Sequence, residues 1–140
     1  MTDILYRTTA TATGGRDGHA RTADGSFDVK LATPKELGGN GEGNNPEQLF
    51  ASGYAACFLG AMKFASSRDK LAKVPADASV TATVGIGPRA DEGFGLEVKL
   101  VISLPGVDAA DAETLVATAD RICPYSHATR GNITVTIEIT

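Results

Sequence analysis

The chain has 140 residues, of which 42% are hydrophobic and 21% are charged, and its formal net charge is −4. This length suits one domain, residues 1–140, that buries a hydrophobic core without needing a disulfide or a metal. An acidic balance offers no basic surface to a phosphate backbone, so we expect no nucleic-acid partner.

We expect no signal peptide at the N-terminus, because Asp3 stands where such a peptide carries lysines and no long apolar run follows. We therefore expect a cytoplasmic protein without a membrane partner. In that reducing compartment the two cysteines, Cys57 and Cys123, are either buried apolar side chains or a transient redox pair.

Three short strands are predicted in the first third of the chain. The first runs from Asp3 to Thr13 and ends at a glycine-rich turn, the second covers about His19 to Ala23, and the third covers Ser26 to Ala32. Residues 33–45 contain many glycines and are predicted to form a long loop.

A long helix is predicted after this loop. Asn45, Pro46 and Glu47 provide an N-cap, a proline at the first helical position and an acid in the first turn. The helix is expected to run to about Lys70. Residues 49–65 are apolar nearly all round, which is typical of a buried central helix.

The remaining sequence predicts a second hairpin, a helix and a last strand. The strands of the hairpin are Ala78 to Ile86 and Leu96 to Leu104, the helix covers about Ala109 to Ile122, and the last strand covers Asn132 to Thr140. The order is βββ-α-ββ-α-β, and the fold class is α+β in one domain.

The apolar central helix requires cover on more sides than one small sheet provides. A homodimer would supply that cover. The small residues Gly53, Ala56 and Gly60 would let another backbone come close to the helix.

Cys57 lies in the middle of the predicted helix, eleven residues past Pro46. That distance is about 16 Å along the helix, too far for the helix dipole to lower the pKa of the thiol. Burial would raise the pKa and leave the thiol inert unless a guanidinium approaches. Without one, Cys57 is a buried structural cysteine.

Arg16 and Glu47 are the candidates for activating Cys57. Arg16 lies in a predicted turn, where its side chain can be aimed, and Glu47 could hold the guanidinium by two hydrogen bonds. Each residue also has an ordinary explanation. Arg16 could be a solvated turn residue, and Glu47 could interact only with the helix dipole. Glu47 and Cys57 are about 15 Å apart along the helix, so we expect the pair to serve Cys57 from the other subunit.

Cys123 follows the second predicted helix and precedes Pro124, which stops that helix. A thiol at a helix end is easier to approach than one in mid-helix. Cys123 therefore suits a resolving role, in which it attacks a sulfenic acid on the other cysteine.

Four separated motifs resemble the organic hydroperoxide resistance (Ohr) branch of the OsmC/Ohr family. They lie at 15–18, 28–39, 45–58 and 123–126 and read GRDG, DVKLATPKELGG, NPEQLFASGYAACF and CPYS. The resemblance implies an intertwined homodimer with antiparallel sheets packed around a buried central helix, and active sites at the subunit interface. It also implies a thiol peroxidase for alkyl and fatty-acid hydroperoxides that needs no cofactor.

By the same resemblance, Cys57 matches the peroxidatic cysteine and Cys123 the resolving cysteine, with a disulfide between them as the oxidised form. Arg16 and Glu47 match the pair that activates the thiolate. Dihydrolipoyl groups on other proteins are the reductant that the family implies. His127 stands where the family usually has asparagine.

Three other functions remain open at this point. Cys57, Cys123, His19 and His127 form a nominal zinc-ligand set, although their spacing is not that of a structural zinc site. A redox sensor would use the same two cysteines without turnover. A protein that binds an apolar ligand would need neither cysteine to react.

Overall fold

The computed structural model describes residues 2–140, which form two three-stranded sheets and three α-helices. The α+β class is confirmed. The chain divides into two compact units, Met1–Leu49 and Phe50–Thr140. The single domain over 1–140 stays a prediction.

The first unit contains an antiparallel sheet in the order β1-β2-β3, made of β1 Ala10–Thr13, β2 His19–Thr22 and β3 Asp28–Lys30. The predicted first strand, which began at Asp3, is too long. Pairing starts where Ala10 faces the last residue of β2, and one more hydrogen bond, from the Ala23 N–H to the Thr9 carbonyl at 2.9 Å, precedes the turn towards β3.

The glycine-rich loop, residues 33–45, is held against the end of β3. The N–H of Ala32 donates to the Asn44 carbonyl at 2.8 Å, and the N–H of Asn44 donates to the Lys30 carbonyl at 2.9 Å. A Cβ on Gly43 would lie 2.9 Å from the Ala32 nitrogen, so this close approach requires glycine.

Helix α1 spans Pro46–Arg68 and agrees with the predicted helix to within two residues. Asn45 and Gln48 cap its start reciprocally. The Gln48 N–H donates to Asn45 Oδ1 at 2.9 Å, and the Asn45 N–H donates to Gln48 Oε1 at 3.1 Å. This reciprocal pair explains why the sequence placed the helix start correctly.

The second unit contains a mixed sheet in the order β4-β5-β6, with β4 Ser79–Pro88, β5 Phe94–Ser103 and β6 Thr134–Ile139. The prediction of antiparallel sheets is wrong for β6, which runs parallel to β5. The helices α2 (Ala109–Ile122) and α3 (Pro124–Thr129) form a crossover between these strands, and a crossover connection produces a parallel pair.

The core of the second unit lies between the mixed sheet, α1 and α2. The fully or almost fully buried side chains that form it include Tyr54, Phe58, Met62, Ala65, Val98, Leu100, Ile102, Leu115 and Ala119. They occupy one face of α1 and one face of the sheet, so packing of these two faces stabilises the unit.

The opposite face of α1 is exposed in this chain. It carries Ser52, Ala56, Gly60 and Phe64, and Phe64 is 58% exposed. The sheet and α2 cover one side of the helix only, as expected from the sequence for one small sheet, and the cover of the other side by a second subunit stays a prediction. By length and composition α1 could also cross a membrane, a test that core helices of soluble proteins pass as well.

Candidate functional site

Two thiols from separate elements of the second unit meet in its core. Cys57 lies in the middle of α1 and Cys123 lies between α2 and α3. Their Sγ atoms are 3.8 Å apart, and the Cys123 thiol donates towards Cys57 Sγ. Since a disulfide bond is about 2.0 Å long, a small movement would join the two atoms.

The two thiols differ in access. Cys123 is fully buried, whereas Cys57 is partly exposed. The expectation that Cys123 is the easier thiol to approach is therefore wrong. The chain continues from Cys123 directly into α3, whose Ser126 and Thr129 are buried, instead of leaving the helix end open to solvent.

The surroundings of Cys57 act on its pKa in opposite directions. Burial has the largest effect and raises the pKa of the Cys57 thiol. The backbone N–H of Tyr125 lowers the pKa, and Cys123 raises it further through charge and hydrogen bonding. These groups together favour the neutral thiol, so a reactive Cys57 requires a cation in addition.

Helix α3 was not predicted from the sequence. Cys123 closes α2 with a 2.8 Å hydrogen bond from its N–H to the Ala119 carbonyl, and its own carbonyl accepts the His127 N–H at 2.9 Å. Pro124 stops α2, as predicted, but it also fits the first position of a new helix, where no N–H is needed. His127 lies exposed on α3.

Three buried hydroxyl groups next to the thiols were also missed. Tyr54 Oη lies 2.9 Å from Ser126 Oγ and 3.3 Å from Thr129 Oγ1. Their spacing in the sequence contains a signal, because Tyr54 precedes Cys57 by three residues and Ser126 follows Cys123 by three. Residues that are three positions apart lie next to each other on one face of a helix.

Arg16 and Glu47 form a bidentate ion pair in the first unit. The Arg16 Nη1 and Nη2 atoms donate to the two carboxylate oxygens of Glu47 at 2.9 Å and 2.6 Å. The Arg16 hydrogen bonds lower the pKa of Glu47, and those to Glu47 raise the pKa of Arg16. The bidentate pairing proposed from the sequence is present, and the catalytic roles stay predictions.

The turn that carries Arg16 is anchored by Asp17, which the sequence analysis did not identify. One carboxylate oxygen of Asp17 accepts the Thr33 N–H and the other accepts the Thr33 hydroxyl, both at 2.9 Å. These hydrogen bonds lower the pKa of Asp17. The turn also requires Gly14 and Gly15 in the left-handed region, with φ of 73° and 60°.

The nominal zinc ligands do not come together. Among residues 2–140, no group of three or more His, Cys, Asp or Glu side chains is placed to hold a metal ion. His19 instead pairs with Asp28, with 2.5 Å between Nε2 and Oδ1. The zinc alternative therefore lacks the ligand set that it requires.

A family model and a curated relative both place the chain in one family. Residues 39–138 match the family model described as "OsmC-like protein". A curated organic hydroperoxide resistance protein from Xanthomonas axonopodis pv. citri is 56% identical over 137 residues, which cover 97% of this chain and 95% of the relative.

Two solved structures of organic hydroperoxide resistance proteins have the same fold as this chain. An organic hydroperoxide resistance protein from Legionella pneumophila superposes with a TM-score of 0.93 at 44% identity, over 99% of both chains. One from Bacillus subtilis superposes with a TM-score of 0.86 at 38% identity, over 98% of this chain and all of the other.

Proposed function

Because the chain belongs to the OsmC-like family, in its organic hydroperoxide resistance branch, we propose that it is a cytoplasmic thiol peroxidase that reduces alkyl and fatty-acid hydroperoxides to alcohols. The relatives' names support a role in organic hydroperoxide resistance. The observation that carries the proposed chemistry is the 3.8 Å separation of the Cys57 and Cys123 sulfur atoms in a core without other thiols.

In the proposed first step, the Cys57 thiolate attacks one oxygen of the hydroperoxide and the O–O bond breaks. The sulfur is oxidised to a sulfenic acid, and the alkoxide takes up a proton and leaves as an alcohol. Arg16 supplies the positive charge that lowers the Cys57 pKa and stabilises the departing oxygen, while Glu47 fixes the direction of the guanidinium.

In the second step, the Cys123 sulfur attacks the sulfenic sulfur of Cys57. An S–S bond forms, the S–O bond breaks, and the oxygen leaves as water with the Cys123 proton. A dithiol, which we propose is a dihydrolipoyl group on another protein, then reduces the disulfide by two exchange reactions and itself becomes a disulfide.

We further propose that the protein acts as an intertwined homodimer. The exposed small residues Ala56 and Gly60 on α1, beside the exposed ring of Phe64, support an interface on this face. In such a dimer the Arg16–Glu47 pair of one subunit would serve Cys57 of the other.

The test is stopped-flow consumption of cumene hydroperoxide by the reduced wild type, Cys57→Ser and Cys123→Ser, with dihydrolipoamide supplied for turnover. We expect Cys57→Ser to abolish the reaction. Cys123→Ser should consume one equivalent, turn over poorly and accumulate overoxidised Cys57. Wild-type rates in Cys57→Ser would disprove the peroxidase, and one oxidation without turnover would indicate a redox sensor instead.

A further inference from the structure

The hydroxyl groups of Tyr54, Ser126 and Thr129 form a closed network in the core of the second unit. In addition to the two bonds from Tyr54 Oη, the Thr129 hydroxyl donates to the Ser126 carbonyl at 3.2 Å. All three side chains are buried. Loss of one hydroxyl would therefore remove a buried hydrogen-bond partner from another member of the network.

This network joins α1, which carries Cys57, to α3, which begins directly after Cys123. Tyr54 and Cys57 are three residues apart on α1, and Ser126 lies in α3, three residues beyond Cys123. The short helix α3 has six residues, too few to be stable without tertiary contacts. Its position on α1 is therefore set by side-chain contacts.

Aromatic rings also contribute to the contact between α3 and α1. The Tyr125 ring lies 5.7 Å from the Tyr54 ring and 6.0 Å from the Phe50 ring, measured between centroids. A Cβ on Gly53 would come within 3.0 Å of Tyr125 Oη. Glycine at this position allows the ring to lie directly on α1, but a ring contact can slide, whereas the hydroxyl bonds fix a direction.

We propose that Tyr54 and Ser126 are positioning residues for disulfide formation, which hold α3 on α1 so that Cys123 Sγ faces Cys57 Sγ. This proposal rests on the peroxidase chemistry described above and specifies what controls its second step. The hydroxyl network, defined as Tyr54, Ser126 and Thr129, bridges the two helices beside the place where the disulfide must bridge them.

The consequence concerns the lifetime of the sulfenic acid. A sulfenic acid on Cys57 can react with Cys123 or with a second peroxide molecule, which oxidises it further. Misplacement of a reacting group by about 1 Å can slow a reaction about 100-fold. A displaced α3 would therefore slow closure of the disulfide and favour overoxidation, while the first attack on peroxide, which loses only the Tyr125 N–H contact with Cys57, would slow less.

The test compares Tyr54→Phe, Ser126→Ala and the double variant with the wild type. Reduced protein is mixed with one equivalent of cumene hydroperoxide, and peroxide loss and disulfide formation are followed separately, the latter by acid quench and mass spectrometry. Ser66→Ala is the matched control, because its hydroxyl donates to the Ala72 carbonyl at 2.8 Å near the far end of α1.

We expect peroxide loss in Tyr54→Phe to change less than about threefold and disulfide formation to slow about tenfold or more, with more sulfinic Cys57. The double variant should be no slower than Tyr54→Phe, since the Tyr54–Ser126 bond that Ser126→Ala removes is already lost in Tyr54→Phe. Ser66→Ala should match the wild type in both steps. Equal closure rates in Tyr54→Phe and the wild type, or equal losses in both steps, would overturn the proposal.

A second measurement does not depend on peroxide. The reduced and disulfide forms are equilibrated in a glutathione redox buffer, which reports how well the folded chain holds the two thiols together. Tyr54→Phe should shift the equilibrium about tenfold towards the dithiol, and an unchanged equilibrium would contradict the positioning role. A wild type that forms the disulfide here but consumes no peroxide would refute the peroxidase and leave the positioning role supported.

Discussion

The Cys123 thiol is fully buried and points towards Cys57 Sγ, whereas Cys57, 3.8 Å away, is partly exposed. The two thiols are therefore unequal before any reaction takes place. A molecule from solvent meets Cys57 first, and Cys123 is reached through the protein.

This inequality predicts the order of alkylation in the reduced protein. Iodoacetamide should label Cys57 at least about tenfold faster than Cys123, because reagents reach a buried thiol only after local opening. Peptide mapping at short times would show it. In denaturing urea both thiols should react at similar rates, and faster labelling of Cys123 in the folded protein would contradict the structure.

The bidentate geometry of Arg16 on Glu47 predicts that lysine is a poor substitute for Arg16. Arg16→Ala should slow peroxide consumption about 100-fold, and Arg16→Lys about tenfold, because an ammonium keeps the charge but loses the planar fork. Arg89→Ala is the matched control, since Arg89 pairs with Asp91 on an exposed hairpin. Equal rates for Arg16→Ala and the control would exclude a role for Arg16.

The lowered pKa of Glu47 predicts how the ion pair depends on pH. The folded pKa lies below the unfolded value of about 4.3, so the pair contributes stability above that pH and loses it as the pH falls through the folded pKa. Glu47→Gln should cost about 0.5–1 kcal/mol of unfolding free energy at pH 6, since Arg16 is 36% exposed. Urea unfolding should show this difference disappear at acidic pH. A difference independent of pH would rule out the charged pair as its source.

Substitution of Gly18 should displace the turn that carries Arg16 without changing Arg16 itself. A Cβ at Gly18 would lie 1.7 Å from the Thr13 carbonyl oxygen, so Gly18→Ala must shift the backbone. We expect peroxide consumption to fall towards that of Arg16→Ala. Gly25→Ala is the control, because Gly25 has a left-handed φ of 73° but an added Cβ would meet open space. This substitution should cost about 1 kcal/mol of stability without loss of activity.

The exposed face of α1 predicts the site of dimer formation. Phe64→Glu should shift the protein towards monomer in sedimentation velocity, because a carboxylate would be buried in the proposed interface. Phe94→Glu is the control, since Phe94 is 66% exposed at the end of the β4–β5 hairpin. A dimer that is unaffected by Phe64→Glu would place the interface elsewhere.

The features that sequence predicted correctly are those fixed by neighbouring residues. The start of α1 follows from Asn45 and Pro46, and the end of α2 follows from Pro124, because caps and prolines act within one turn. The parallel pairing of β6 and the burial of Cys123 depend on packing between distant segments. Tyr54 and Ser126 are 72 positions apart, and their three-residue spacing from the cysteines indicates a contact only if Cys57 and Cys123 are already known to meet.

The burial of Cys123 also determines how the proposed disulfide would be reduced. An incoming thiolate reaches the partly exposed sulfur of Cys57, so the mixed disulfide with the reductant would form on Cys57. Cys123 is then the leaving group, and its sulfur returns to a fully buried position in the core. Regeneration of the enzyme would therefore depend on how closely the reductant can approach the partly exposed sulfur of Cys57.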